Sequence, residues 1–143
     1  MTTIAYATES STLTLNGNLI TEMAEGDFIT LTPVNPSTSH VNASNGGVNI
    51  NRRIDADVHD FVVRVQRNGD DDSLLNELER QDTPVVINGS HKVNLQRNGT
   101  DVVESWSLQN GSFTTRPTLT YNNTDGNAVT EYTIRFRTAK RDI

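Results

Sequence analysis

Residues 85–115 read VVINGSHKVNLQRNGTDVVESWSLQNGSFTT, and this stretch decides the fold. Short runs of alternating apolar and polar residues, Val93-Asn94-Leu95-Gln96 and Val102 to Leu108 among them, are separated by Asn88-Gly89, Asn98-Gly99 and Asn110-Gly111. A period of two marks a strand with one buried face. A two-residue type I′ turn needs positive φ at both central residues, which Asn tolerates and Gly adopts freely. The stretch therefore predicts antiparallel hairpins in series, with a turn at each Asn-Gly pair. Asn16-Gly17, Asn45-Gly46 and Asn68-Gly69 repeat the signal, and Asp125-Gly126 is a close relative.

Working outward, Thr12 to Leu15 and Asn18 to Thr21 flank Asn16-Gly17 as one more hairpin. Phe28 to Thr32 is a strand that ends or becomes an edge at Pro33 and Pro36, because proline cannot donate to a central ladder. Residues 35–47 form a polar loop, long enough to be functional. Its content of Ser, Asn and Gly cannot drive local burial, so it is expected to order only against a neighbouring subunit. Val48 to Asn51 restarts the alternation, and Phe61 to Gln66 is the strongest strand signal of all. The last strand points Tyr132, Ile134 and Phe136 one way and Thr133, Arg135 and Arg137 the other.

One segment breaks the pattern. Asp70-Asp71-Asp72-Ser73, then Leu74, Leu75 and Leu78 at helical spacing, then Arg80 and a stop at Pro84, predict a helix over about 70–81. The expected fold is mainly β: one domain over 1–143, an antiparallel two-sheet sandwich or partial barrel with about eight short strands and one flanking helix.

Composition narrows the function classes. The hydrophobic fraction is 34%, which suits a thin fold with wide polar faces or a subunit whose neighbours supply burial. There is no cysteine, so disulfides and thiolate metal sites are excluded. The first residues lack the features of a signal peptide, and no apolar run reaches membrane-spanning length, so synthesis in the cytoplasm and no membrane association are expected. Net charge is −6, and residues 1–51 contain no Lys or Arg. The C-terminal end is the reverse, with Arg135, Arg137, Lys140 and Arg141 against Asp142. General nucleic-acid binding needs clustered positive charge and is disfavoured.

Catalytic chemistry finds no foothold. His40, His59 and His91 show no shared ligand spacing. Ser and Asp are so common here that a Ser-His-Asp set means nothing without geometry. The triplet Asp70 to Asp72 reads as a solvated helix N-terminus rather than a metal site. Asp55, Asp57 and Asp60 around His59 are the densest polar cluster but lack ligand spacing. Trp106 reads as a core or interface anchor. No enzyme activity and no cofactor are expected.

The run Ser11-Thr12-Leu13-Thr14-Leu15-Asn16-Gly17, then Ala24-Glu25-Gly26-Asp27-Phe28-Ile29-Thr30-Leu31-Thr32-Pro33, then Ser44-Asn45-Gly46-Gly47-Val48-Asn49-Ile50-Asn51, and the ending Asn127 to Arg137 together resemble a family of tailed-bacteriophage structural proteins. The similarity covers nearly the whole chain, and the family is associated with the tail tube of contractile phages. The resemblance implies a virion protein whose subunits, six to a ring, join their sheets around a channel and stack into a tube through which DNA passes without specific binding. It implies contacts with itself and with tail sheath, tape measure, baseplate and terminator proteins. The alternatives are another phage ring protein, such as a tail terminator or a capsid decoration protein, and a carbohydrate-binding β-sandwich. Sugar binders present exposed aromatics, and a single Trp weighs against the last.

Two sets of surface residues follow as expectations. The channel is expected to be lined by Thr30, Thr32, Asn49, Asn51, Asn94 and Gln96, small neutral groups that offer phosphates no strong site. Contacts between subunits are expected from the loop residues His40, Asn42 and Asn45. A charge pairing between rings is expected from Glu9, Glu22, Glu25 and Asp27 on one side and Arg135, Arg137, Lys140 and Arg141 on the other.

Overall fold

The computed structural model describes residues 1–24, 27–119 and 129–143, with the side chains of 7–10 also outside the description. Asp125-Gly126 therefore lies outside the described residues. Nine strands and one helix are described: β1 (Ile4–Leu15), β2 (Asn18–Ile20), β3 (Ile29–Pro33), β4 (Thr38–Asn42), β5 (Val48–Arg52), β6 (His59–Gln66), α1 (Asp70–Glu79), β7 (Ile87–Arg97), β8 (Thr100–Thr115) and β9 (Val129–Asp142). Seven strands form one antiparallel sheet in the order β2-β1-β7-β8-β9-β6-β3, and β4 and β5 form a second sheet of two. The fold is mainly β with a single helix, as the alternation predicts, and it is not a closed barrel.

The large sheet curls. Leu13, Leu15 and Ile20 of β1 and β2 share one core with Phe61, Val63 and Val65 of β6, although three strands separate β1 from β6 in the sheet. The chain leaving β2 bridges the gap. Met23 pairs with Val65, and Gln66 N donates to Glu22 O at 2.9 Å. At that end the two edges nearly meet, so the sheet supplies both walls of its own core. Tyr132, Ile134 and Phe136 of β9 fill it, and Leu75 from α1 closes one side. Each such side chain contributes roughly 1.5–3 kcal/mol by burial.

The Asn-Gly pairs divide into three kinds, and Asn68-Gly69 corrects the expected hairpin by joining β6 to α1. Asn16-Gly17 (φ 49° and 79°) and Asn98-Gly99 (φ 52° and 80°) make the predicted tight turns, and Asn45-Gly46 sits at the tip of the β4–β5 hairpin. Asn88-Gly89 and Asn110-Gly111 do not turn; they lie inside β7 and β8, and the prediction is corrected there. Asn110 has φ 56° in mid-strand, and the β7–β8 register shifts between Ile87 and Gly89. This is a β-bulge. Its effect is a change of phase, because Leu108 is buried before it and Gly111 after it. Gly111 must lack a side chain, since a Cβ would stand 2.5 Å from the Phe136 ring. An asparagine network pins the bulge. Asn88 N donates to Asn16 Oδ1 at 2.8 Å, and Asn110 N to Asn88 Oδ1 at 3.0 Å.

Residues 35–47 are not a structureless loop. They contain β4, which pairs with β5 from Thr38↔Arg52 to Asn42↔Val48. Helix α1 ends at Glu79, two residues before the expected boundary. The first strand begins at Ile4 rather than Thr12, because β7 offers it a partner as far as Ile4↔Arg97.

Candidate assembly surfaces

Two of the three acidic residues at the helix start, Asp71 and Asp72, are structural rather than solvated, while Asp70 is exposed. Asp71 is buried, and its Oδ2 accepts from Thr21 N at 2.8 Å and Glu22 N at 2.6 Å. Asp72 accepts from Tyr132 Oη at 2.6 Å, Thr130 Oγ1 at 3.1 Å and Asn68 N at 2.9 Å. Glu22 Oε2 in turn accepts from Asp70 N at 2.9 Å. The last of these bonds satisfies a helix-start amide, and together they tie α1 to the link after β2 and to β9. Burial, and then the bond to Asp72, push the Tyr132 hydroxyl far above its ordinary value. Among the described residues no group of three His, Cys, Asp or Glu is placed to hold a metal ion.

The polar cluster around His59 disperses into separate pairs. Arg53 and Asp55 form a two-point ion pair at 2.9 and 3.0 Å, and Arg135 and Asp60 another at 2.8 and 3.1 Å. The Arg135 bond holds the Asp60 carboxyl below its ordinary range, against the opposing effect of burial. His59 packs edge-on to Trp106 at 5.5 Å. Ser11 Oγ lies 2.6 Å from His91 Nε2, and burial lowers the His91 pKa while Glu104 raises it less. Glu104 is bonded to Arg141 at 3.1 Å.

The predicted channel residues fall on three separate places. Thr30 and Thr32 are exposed on the edge strand β3, and Asn94 and Gln96 are exposed on β7, with β8, β9 and β6 between them. Asn49 and Asn51 belong to the small sheet.

The predicted contact residues are partly engaged at home. Glu22 holds the helix start, Arg135 holds Asp60, Arg137 donates to Ile54 O at 3.2 Å, and Arg141 holds Glu104. Asp27 and Lys140 are exposed. Asn42 is exposed at the end of β4, and exposed His40 lies 3.2 Å from Thr38 Oγ1. Glu25 and the side chain of Glu9 lie outside the described residues.

Sequence reasoning missed the most exposed backbone. β2 covers β1 only from Leu13 to Leu15, so the outer side of residues 4–12 has no strand partner among the described residues. Ile4 and Tyr6 on that stretch are 44% and 65% exposed. The opposite edge, the outer side of β3, is likewise open among the described residues. The run Ile4-Ala5-Tyr6 carries no charge, and that was the available signal. The β4–β5 hairpin is nearly all exposed, with Val41 at 56%, Val48 at 53% and Ile50 at 64%.

No protein-family model and no curated protein matches the sequence. Solved structures do match the fold. The chain is similar to the sheath/tube terminator of an extracellular contractile injection system, PVC, in its extended state, with TM-score 0.66 and 11% identity over 96% of both chains. It is similar to the tube-terminating cap of the anti-feeding prophage, with TM-score 0.64 and 14% identity over 96% of this chain and 90% of the other. It is also similar to a chain of the anti-feeding prophage baseplate, with TM-score 0.53 and 11% identity over 92% and 90%. At these identities the likeness is one of fold.

Proposed function

We propose that the chain is a non-catalytic, ring-forming subunit of a phage-tail-like contractile particle, and that it sits at the end of the tube as a terminator. The observation that carries this reading is the end-to-end match with a tube terminator and a tube-terminating cap, each covering 96% of the chain. It takes precedence over the tube-subunit reading that the sequence resemblance favours. Two further features support a ring. A curled sheet with one open edge at β1 and another at β3 offers two different surfaces to a neighbour. Such a contact is heterologous, and it closes into a ring when the rotation permits. An unprotected edge whose first residues, Ile4-Ala5-Tyr6, carry no charge would otherwise be an aggregation hazard, and pairing removes it.

DNA passage through the ring, and contacts with tube, sheath or baseplate proteins, belong to the same proposal. Negative-stain images of the purified protein test it. Discrete rings of uniform diameter support a terminator. Long hollow tubes assign the chain to the tube wall instead, and monomers at high concentration refute both.

A further inference from the structure

We propose that Asn45 is a site of spontaneous deamidation, selected by the fold from six Asn-Gly pairs. The chemistry needs no enzyme. The Gly46 nitrogen loses its proton to solvent base and attacks Asn45 Cγ, forming the new C–N bond of a five-membered succinimide. The Cγ–Nδ2 bond breaks and ammonia leaves. Water then opens either imide carbonyl, giving aspartate or isoaspartate. The balance is one asparagine and one water in, one acidic residue and one ammonia out. Glycine at the following position presents no side chain to hinder attack, so all six pairs are chemically eligible.

The fold restrains five of them. Asn16 is held at both ends of its amide, with Oδ1 accepting from Asn88 N at 2.8 Å and Nδ2 donating to Val86 O at 3.2 Å. Asn88 Oδ1 accepts from Asn110 N, and Gly89 lies between β1 and β8 with the Thr14 carbonyl against it. Asn110 is fixed in the β8 bulge, and Gly111 is buried against Phe136. Asn98 Oδ1 accepts from Thr3 N at 2.9 Å, and Asn98 N donates to Thr3 O at 2.8 Å. Gly69 begins the helix, where its carbonyl accepts from Ser73 N at 3.1 Å and Asn68 N is held by Asp72.

Asn45 differs in kind. Its Oδ1 accepts from Gly47 N at 3.1 Å, a partner two residues on that moves with it. The Gly46 N–H donates to Ala43 O at 3.1 Å within the same turn. The turn caps a two-stranded hairpin with exposed side chains on both faces and no core beneath it. Freeing the Gly46 nitrogen therefore opens a small local unit, whereas the other five sites need a core strand, a helix start or a strand-to-strand bond to give way. Conversion places a negative charge at the tip of the projecting hairpin.

The test is incubation of the full chain at mildly alkaline pH, with aliquots cleaved before aspartate and the products located by mass spectrometry. Cleavage before Asp27 and Asp55 isolates Asn45 from every other pair. Asn45 is expected to convert roughly tenfold ahead of the other five sites, as local opening requires. In concentrated urea the six rates should converge, and Asn45→Gln should abolish the fast phase of ammonia release from the folded protein. Faster or equal conversion at another pair overturns the proposal. So does an Asn45 lead that persists unchanged in urea, because the selectivity would then belong to local sequence and not to the fold.

Discussion

Asp71 shows how much one side chain can be asked to do. Its carboxylate satisfies two backbone amides, at Thr21 and Glu22, that belong to the chain segment bridging the two edges of the sheet. Asp71→Ala leaves both donors without that partner in a half-buried site and is expected to cost about 2–4 kcal/mol by urea unfolding. His91 makes a second prediction. Burial depresses its pKa below the ordinary value of 6.5, so the folded state prefers the neutral ring. Above that value both states are neutral and the stability is whole. As pH falls below 6.5 the unfolded chain takes up its proton first, and stability declines until the folded value is passed. His91→Asn should flatten the slope of unfolding free energy against pH between about 6.5 and 5. A slope unchanged by the substitution would show that other groups set it. Neither role was legible in the sequence. A run of three aspartates before a leucine stripe announces a helix start, and it does so correctly, but nothing local says that Asp71 faces a segment fifty residues away.

Among the elements, those with strong local patterns were the readable ones. The alternation of β6 and of β9 is visible by inspection, and both strands carry fully buried apolar rows. The turns at Asn16-Gly17 and Asn98-Gly99 follow from the dipeptide alone. Asn110-Gly111 carries the same dipeptide and does something else, because a bulge and a tight turn both use positive φ at Asn. The choice between them is made across the sheet, by Asn88 and by the room that Phe136 leaves, and no window of sequence contains that information. In the hairpin β4–β5 the alternation of β5 is legible, whereas β4 lies within a polar stretch that reads as a loop because it buries nothing. That same lack of burial yields a prediction. Its ladder amides should exchange with deuterium at least about a hundredfold faster than those pairing β8 with β9, since the hairpin can open without the core. Equal protection in a monomeric preparation would mean that the hairpin is anchored by contacts beyond its own ladder.

At the scale of the whole molecule, the account rests on two open edges. The candidate channel residues, chosen from alternation, scatter over β3, β5 and β7, because alternation says which residues are wet and not which wet face a neighbour meets. The edges themselves are a property of topology. β1 is twelve residues long and its outer partner β2 only three, a mismatch that cannot be seen until the strands are assigned. If β1 of one copy pairs with β3 of the next, charge placed on the β1 edge should prevent assembly without harming the core, since Ile4 and Tyr6 are exposed. The most direct measurement is native mass spectrometry of the wild-type chain beside the double variant Ile4→Lys, Tyr6→Lys. The account predicts a single closed oligomer for the wild type, of the same size across a wide concentration range, and a folded monomer for the variant. A wild-type monomer at every concentration, or a variant that still forms the same oligomer, would contradict it.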